Sequence, residues 1–285
     1  MSSTKLGPYR IDVVNDGILW LDGGAMFGVV PRPLWSRLIR PDERNRIPLA
    51  TNCLLVRGPC GNVLVDSGLG DHGDENKQKI FNFQHPERRL IDQLADLGVS
   101  AQDVDVVVQT HLHFDHCGAL ARPNGDGTYK PNFPNARIVV QEAEWEAALQ
   151  PDARTRPSYY TDAFWRALEA SGNLRLIEGA QEVAPGIFCR PIGGHSMGHQ
   201  IVEVRHGDRR IVFLGDFIPQ FKHLGLPYIM AYDLFPLRTL GDKQRFLPEA
   251  VEKGWIVVFE HDHELALATL HSDGGKVVAR PLENP

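Results

Sequence analysis

The chain has 285 residues, enough for one large domain with a sizeable core. Hydrophobic residues make up 42% and charged residues 23%, an ordinary balance for a water-soluble globular protein. Thirty Lys and Arg against thirty-six Asp and Glu leave a net charge of −6, which argues against nucleic acid as the partner. The opening residues, Met1-Ser2-Ser3-Thr4-Lys5, lack the apolar core of an export signal, and no apolar run reaches membrane-spanning length. The four cysteines, Cys53, Cys60, Cys117 and Cys189, show no C-x-x-C spacing, so neither a disulfide framework nor a cysteine zinc site is expected. Cys117 reads as a small packing residue. A cytoplasmic protein follows.

In chain order, residues 9–14 and 18–21 flank Asn15-Asp16-Gly17, which reads as a hairpin turn. Residues 23–31 form a glycine-rich apolar stretch without a period, a candidate pocket loop carrying Met26 and Phe27. Strands are expected over 52–57 and 62–65 around the turn Gly58-Pro59-Cys60-Gly61. A helix is expected over 86–97, where Leu90, Ile91, Leu94 and Leu97 share one face and Gly98 is the stop. Residues 104–108 form a short β-branched run that reads as a buried strand. Then come a Pro/Gly/Asn-rich loop over 122–134, a strand over 136–140 and helices over 142–149 and 161–170. The irregular stretch 151–160 between those helices suits a flap or a dimer contact. Further strands are expected over 175–177, 186–191, 200–205 and 209–214. A long apolar loop over 217–236 follows, of the kind that is usually functional. A helix over 247–253, a strand over 255–260 and a hairpin at Asp273-Gly274-Gly275 close the chain.

The strand over 104–108 runs into Thr110-His111-Leu112-His113-Phe114-Asp115-His116. On an extended or tightly turning segment His111 and His113 face the same way, and Asp115 and His116 turn toward a second point. Imidazole and carboxylate are the ligands that Zn²⁺ and similar borderline metals take. Four such residues within six positions at a strand end predict a metal site rather than a solvated polar loop.

This segment resembles the T-H-x-H-x-D-H signature of the metallo-β-lactamase-fold hydrolases at every specified position. The later elements of that family are present in order: Gly194-His195-Ser196-Met197-Gly198-His199, the pair Gly215-Asp216 after an apolar strand, His261 after another, and the upstream Val65-Asp66-Ser67-Gly68. The resemblance implies an α/β fold, a four-layer αβ/βα sandwich of two pseudo-repeated halves with the metal site between the sheets, in a single domain over 1–285. It implies one divalent metal on His111, His113 and His195, a second on Asp115, His116 and His261, and Asp216 bridging both. Asp66 is expected to hold a ligating imidazole from behind. Ligation by nitrogen and oxygen without sulfur suits Zn²⁺ and tolerates Mn, Co or Fe.

A bridging hydroxide attacking a carbonyl or phosphoryl centre is the implied chemistry, with Asp115 as the catalytic proton acceptor. The G-H-S-M-G-H segment looks most like the branch of N-acyl homoserine lactonases and methyl parathion hydrolase. The first reading is therefore a dinuclear lactonase or esterase, and the alternative a phosphotriesterase. A non-catalytic metal-binding regulatory module is the third reading. Lactonases usually carry a tyrosine three positions after the bridging aspartate, where this chain has Pro219; His223, Tyr228 and Tyr232 are candidate substitutes. Met26, Phe27, Phe217, Phe221 and His223 are the expected substrate contacts. The partners expected are an uncharged, partly apolar small molecule and a second copy of the chain, with no nucleic acid and no membrane.

Overall fold

The computed structural model describes residues 2–71 and 75–282. Its first half carries strands β1 (Ser2–Leu6), β2 (Tyr9–Asp22), β3 (Arg46–Gly58), β4 (Gly61–Val65) and β5 (Val106–Val108), a small hairpin β6 (Ala121–Pro123) and β7 (Tyr129–Pro131), then β8 (Arg137–Gln141) and β9 (Leu174–Ile177). Interleaved with them are helices α1 (Gly23–Phe27), α2 (Arg32–Trp35), α3 (Glu75–Phe81), α4 (Leu90–Asp96), α5 (Phe114–Cys117), α6 (Glu142–Leu149) and α7 (Asp162–Ala170). The second half carries β10 (Gln181–Ala184), β11 (Ile187–Pro191), β12 (Gln200–His206), β13 (Arg209–Phe213), helix α8 (Pro236–Glu252), β14 (Ile256–Val258), β15 (Leu267–Asp273) and β16 (Lys276–Pro281).

Two seven-stranded sheets result, ordered β1-β2-β3-β4-β5-β8-β9 and β10-β11-β12-β13-β14-β15-β16. Each opens with three antiparallel pairings and then turns parallel, at β4–β5 and at β13–β14. Side chains alternate across a strand with period two, so each sheet has one face for each of two neighbours. In β5, Val106 and Val108 point into the core between the sheets, against Val202, Ile211 and Phe213. Val107 points the other way, into the core that Leu94, Trp145, Phe164 and Trp165 build from α4, α6 and α7. The outer face of the second sheet packs Val212, Val257 and Leu270 against Phe246 and Leu247 of α8. The layers therefore run helix, sheet, sheet, helix, the architecture the resemblance implies.

Several local expectations fail for identifiable reasons. Asn15-Asp16-Gly17 is not a hairpin turn: β2 runs straight through it, paired to β3 on both sides, with a register shift between Asn15 and Ile18. Asp16 is buried there, and its carboxylate accepts from the backbone N–H groups of Gly70 and Leu90 at 2.8 and 3.0 Å and from the Arg89 side chain. A polar turn signal was in fact a bulge turning a carboxylate inward. The helix expected over 86–97 begins at Leu90, where the Asp16 carboxylate takes the first N–H. The helix expected over 247–253 is only the end of α8, which starts at Pro236 and continues through Gly241 and Pro248 because Phe246, Leu247 and Ala250 are buried against the sheet. The stretch 23–31 is not all loop, since Asp22 caps α1 by accepting from Ala25 N at 2.8 Å.

Phe213 is fully buried between the sheets, three residues before Asp216. Phe213→Ala should cost about 3–5 kcal/mol of unfolding free energy through transfer and cavity terms, read from denaturant midpoints at unchanged slope.

Candidate metal centre

The ligand-type side chains leave from the ends of core strands. His111 and His113 follow β5, His195 follows β11, Asp216 follows β13 and His261 follows β14. Phe114–Cys117 forms the single turn α5, which swings Asp115 and His116 back toward the same cleft.

His113 Nδ1 lies 3.0 Å from His111 Nε2 and 3.0 Å from His195 Nε2, and His195 Nε2 lies 2.9 Å from Asp216 Oδ2. On the other side His261 Nε2 lies 3.2 Å from His116 Nε2 and 2.9 Å from Asp216 Oδ1. Asp115 stands 3.8 Å from each of those two imidazoles. Asp216 thus turns Oδ2 to His195 and Oδ1 to His261, one from each cluster.

The hydrogen bonds behind the rings show what these faces require. His261 Nδ1–H donates to Ala50 O at 2.7 Å, which leaves a lone pair on Nε2 facing the Asp216 carboxylate. His195 Nδ1–H donates to Asp233 Oδ1 at 3.1 Å, with the same consequence. Lone pairs facing a buried carboxylate oxygen repel unless a cation lies between them. Tetrahedral ligation at metal–ligand distances near 2.1 Å spaces donor atoms roughly 3.4 Å apart, close to the spacings found. The donor set fits two borderline divalent cations.

Protonation follows the same logic. Burial, then the neighbouring imidazoles, holds His111 and His113 well below the usual histidine range, so both imidazoles are neutral, the form a metal would need. Burial also lowers His195, but Asp216 and Asp233 outweigh it and carry its pKa up to about 10. A proton there occupies the place a cation would take.

Asp66 lies behind both clusters. It accepts from Thr110 N and Thr110 Oγ1, each at 2.6 Å, and faces His116 Nδ1 at 3.2 Å. Thr110 Oγ1 in turn accepts from His111 Nδ1 at 3.1 Å. Asp66 has φ +55°, a left-handed conformation that aspartate tolerates at a cost of about 1 kcal/mol or more.

Five residues with no role assigned from the sequence belong to this site. Glu260 is fully buried beside His261 and places Oε1 2.8 Å from His116 Nδ1. Asp233 orients His195 and is itself held by Thr239 Oγ1 at 2.6 Å, which also accepts from Gly194 N. His199 Nδ1–H donates to Ile192 O while its Nε2 accepts from Asp216 N at 3.0 Å, and burial lowers its pKa to about 4. Gly215, at φ +50°, runs so close that a Cβ would lie 2.8 Å from His199 Nε2. Glu144 ties the two ligand segments together, accepting from Leu112 N, Tyr159 OH, Ser196 Oγ and Gly198 N at 2.6–3.1 Å. Of these, His199 and Gly215 carried a sequence signal, each as a member of its motif.

A cavity of about 250 Å³ opens onto Asp115, His195, Asp216 and His261. Met26 lies in its wall, with Leu21, Leu49, Phe81 and Met230. Phe27, Phe217, Phe221 and His223, expected as substrate contacts, do not line it. Phe27 is sandwiched between the rings of His223 and Trp35 at 4.4 and 5.5 Å. Phe217 packs edge-on against Phe246, and Phe221 against the outer core of the second sheet. His223 is buried with Nε2 on Met26 O at 3.0 Å. Phe27, Phe217 and His223 are buried within cores and Phe221 lies half-buried against one, which sequence hydrophobicity alone does not distinguish from a pocket. Of Tyr228 and Tyr232, only Tyr232 reaches the cavity.

Comparison with known proteins gives the same picture. The family model of the Metallo-beta-lactamase superfamily matches residues 46–261. An N-acyl homoserine lactonase of Bacillus cereus is 30% identical over 179 residues, which cover 60% of this chain and 64% of that protein, less than two thirds of its length. The solved structure of a probable metal-dependent hydrolase from Staphylococcus aureus superposes with a TM-score of 0.89 at 32% identity, over 99% of this chain and 100% of that one. An N-acyl homoserine lactone hydrolase, solved with N-hexanoyl-L-homoserine at its catalytic metal center, matches with a TM-score of 0.67 at 25% identity, covering 89% and 93% of the two chains. The chain belongs to the metallo-beta-lactamase superfamily, whose members are metal-dependent hydrolases.

Proposed function

We propose that this protein is a dinuclear hydrolase that opens lactones or related esters of small, uncharged, partly apolar molecules. The observation that carries the reading is Asp216, one oxygen turned to each histidine cluster at the floor of an apolar-walled cavity. His111, His113 and His195 would hold one divalent cation and Asp115, His116 and His261 the other, with Zn²⁺ best suited to the set. When bound, such a pair supplies Lewis acidity and a nucleophile available near neutral pH.

The chain's own groups would do the rest. Asp115 faces the cavity and is placed to take a proton from the attacking water and pass it to the leaving alkoxide. Tyr232 is 39% exposed at the cavity, where burial first, and then Asp22, Asp115 and Asp216, raise its pKa to about 12. Its phenol therefore keeps its proton and can donate to a substrate oxygen. Leu21, Met26, Leu49 and Met230 would shed water onto the substrate's apolar part. Addition of water across the acyl C–O bond then releases a hydroxy acid.

Phosphotriester hydrolysis is the second reading, favoured by Pro219. That residue stands where lactonases carry tyrosine and presents only its carbonyl, which accepts from His261 N at 2.9 Å. The four cysteines are buried and unpaired, in keeping with a reducing cytoplasm.

The metal-loaded protein should be compared on short and long lactones, aryl esters and phosphotriesters by kcat/KM. A lactone preference of tenfold or more, about 1.4 kcal/mol, supports the proposal; a triester preference of that size moves the protein to the second reading, and background rates throughout defeat both. Tyr232→Phe should lower kcat on the preferred substrate by roughly 100- to 1,000-fold with little change in KM, as for loss of one transition-state donor.

A further inference from the structure

Lys243 is a lysine on the buried face of α8, 1% exposed, and the proposed chemistry does not use it. Its Nζ donates to three backbone carbonyls, His223 O at 2.6 Å, Gly225 O at 2.7 Å and Tyr228 O at 3.0 Å. An ammonium group has three N–H bonds, and all three are taken. Burial lowers the pKa of this amine to about 7, against which Asp233 works. Only the protonated form has a donor for each of the three carbonyls, so the cradle is built for the cation. All three acceptors lie in the irregular segment after Asp216, which has no ladder of its own to hold it.

That segment is fastened in turn to α1. His223 Nε2–H donates to Met26 O at 3.0 Å, and the His223 ring lies flat on Phe27 at 4.4 Å. Ala231 N donates to Ala25 O at 2.8 Å. Gly28 passes so near Ile229 that a Cβ would lie 2.3 Å from its carbonyl oxygen, so the two backbones are in direct contact. The inner surface of this double layer is the cavity wall: Met26 from α1, and Met230, Ala231 and Tyr232 from the later segment. A connected path of hydrogen bonds and one ring stack thus runs from a buried ammonium to the wall opposite the histidines.

We infer that Lys243 is a positioning residue for substrate: through its three-carbonyl cradle it fixes the segment 223–232 against α1 and so sets the shape of the apolar wall of the cavity. Removing the ammonium takes the Lys243 donor from His223 O and Tyr228 O, leaves Gly225 O with the Tyr228 N–H alone, and frees the wall to move. The ligand-bearing strand ends, on the sheets, stay in place. The expected signature is a loss of substrate binding, with kcat falling only as far as Tyr232 on the same wall is displaced. This inference rests on the hydrolase reading for its kinetic part and on geometry alone for its structural part.

The test is Lys243→Met in the full-length, metal-loaded protein, with Lys243's neighbours unchanged. KM for the preferred substrate should rise by about tenfold or more while kcat falls by no more than in Tyr232→Phe, since Tyr232 rides on the same wall, and the preference between long and short acyl groups should flatten. Bound metal should equal that of the parent, and amide hydrogen exchange should quicken over 223–232 and 25–30. Unchanged KM and exchange, or a fall in kcat with loss of metal, would overturn the inference. If Lys243→Met does not fold, His223→Phe cuts the same path one step later. It keeps a ring on Phe27 but removes the N–H to Met26 O, and must raise KM and quicken exchange over 25–30; a folded His223→Phe protein with neither change is equally fatal. Should the parent hydrolyse none of the substrates, the proposed function fails, and the exchange of the two segments alone decides whether Lys243 holds the wall.

Discussion

Everything in this molecule bears on one buried carboxylate, Asp216, with imidazole lone pairs turned toward both of its oxygens. Acceptors facing acceptors in a low-dielectric interior repel strongly unless a cation or, as at His195, a proton lies between them, and each unpaired group costs on the order of kcal/mol. The fold nonetheless holds them there, because the tautomers are fixed from behind by Ala50 O and Asp233, and the Asp216 backbone by His199. A site so arranged is stable when cations complete it and strained when they do not. Metal affinity and folding stability are therefore linked.

The two sheets exist, functionally, to hold that arrangement rigid. The candidate ligands follow the ends of short buried strands or, for Asp115 and His116, the turn α5 just after one, and those strands are packed by a core on both faces. Buried carboxyl groups then cross-link these segments: Asp66 joins Thr110 to His116, Glu144 joins the Leu112 and Ser196 segments, and Glu260, whose pKa burial raises, sets Oε1 beside His116 Nδ1. The substrate side is built differently. Its wall comes from α1 and an irregular segment, held by a few hydrogen bonds and a ring stack instead of a ladder. Variation there changes what is bound without touching what binds metal.

The candidate ligands were legible in the sequence because they are locally dense: His111, His113, Asp115 and His116 fall within six residues, and His195, Asp216 and His261 each come shortly after an apolar strand. The orienting groups were not. Glu144 and Asp233 look like ordinary helix and loop carboxylates, and only the fold brings Glu144 to Leu112 and Ser196, or Asp233 to His195. The apolar aromatics misled for a related reason. Phe27, Phe217 and Phe221 are as hydrophobic as pocket residues, and whether such a ring faces a cavity or a core depends on packing that no local pattern encodes. Asn15-Asp16-Gly17 has the composition of a turn, yet the long pairing of β2 with β3 overrides it and turns Asp16 into a buried acceptor. In α8, Gly241 and Pro248 hide a helix whose apolar face is set by the sheet beneath.

The central claim is that Asp216 stands between two cation sites built from different strands. Metal analysis of the chain after Zn²⁺ loading and gel filtration tests it most directly, on the parent and on His261→Ala beside His195→Ala. The account predicts about two zinc ions per parent chain and about one in each variant, since each substitution removes one cluster's imidazole and leaves the other cluster intact. A parent that retains one zinc or none, or a His261→Ala protein that still retains two, would contradict it.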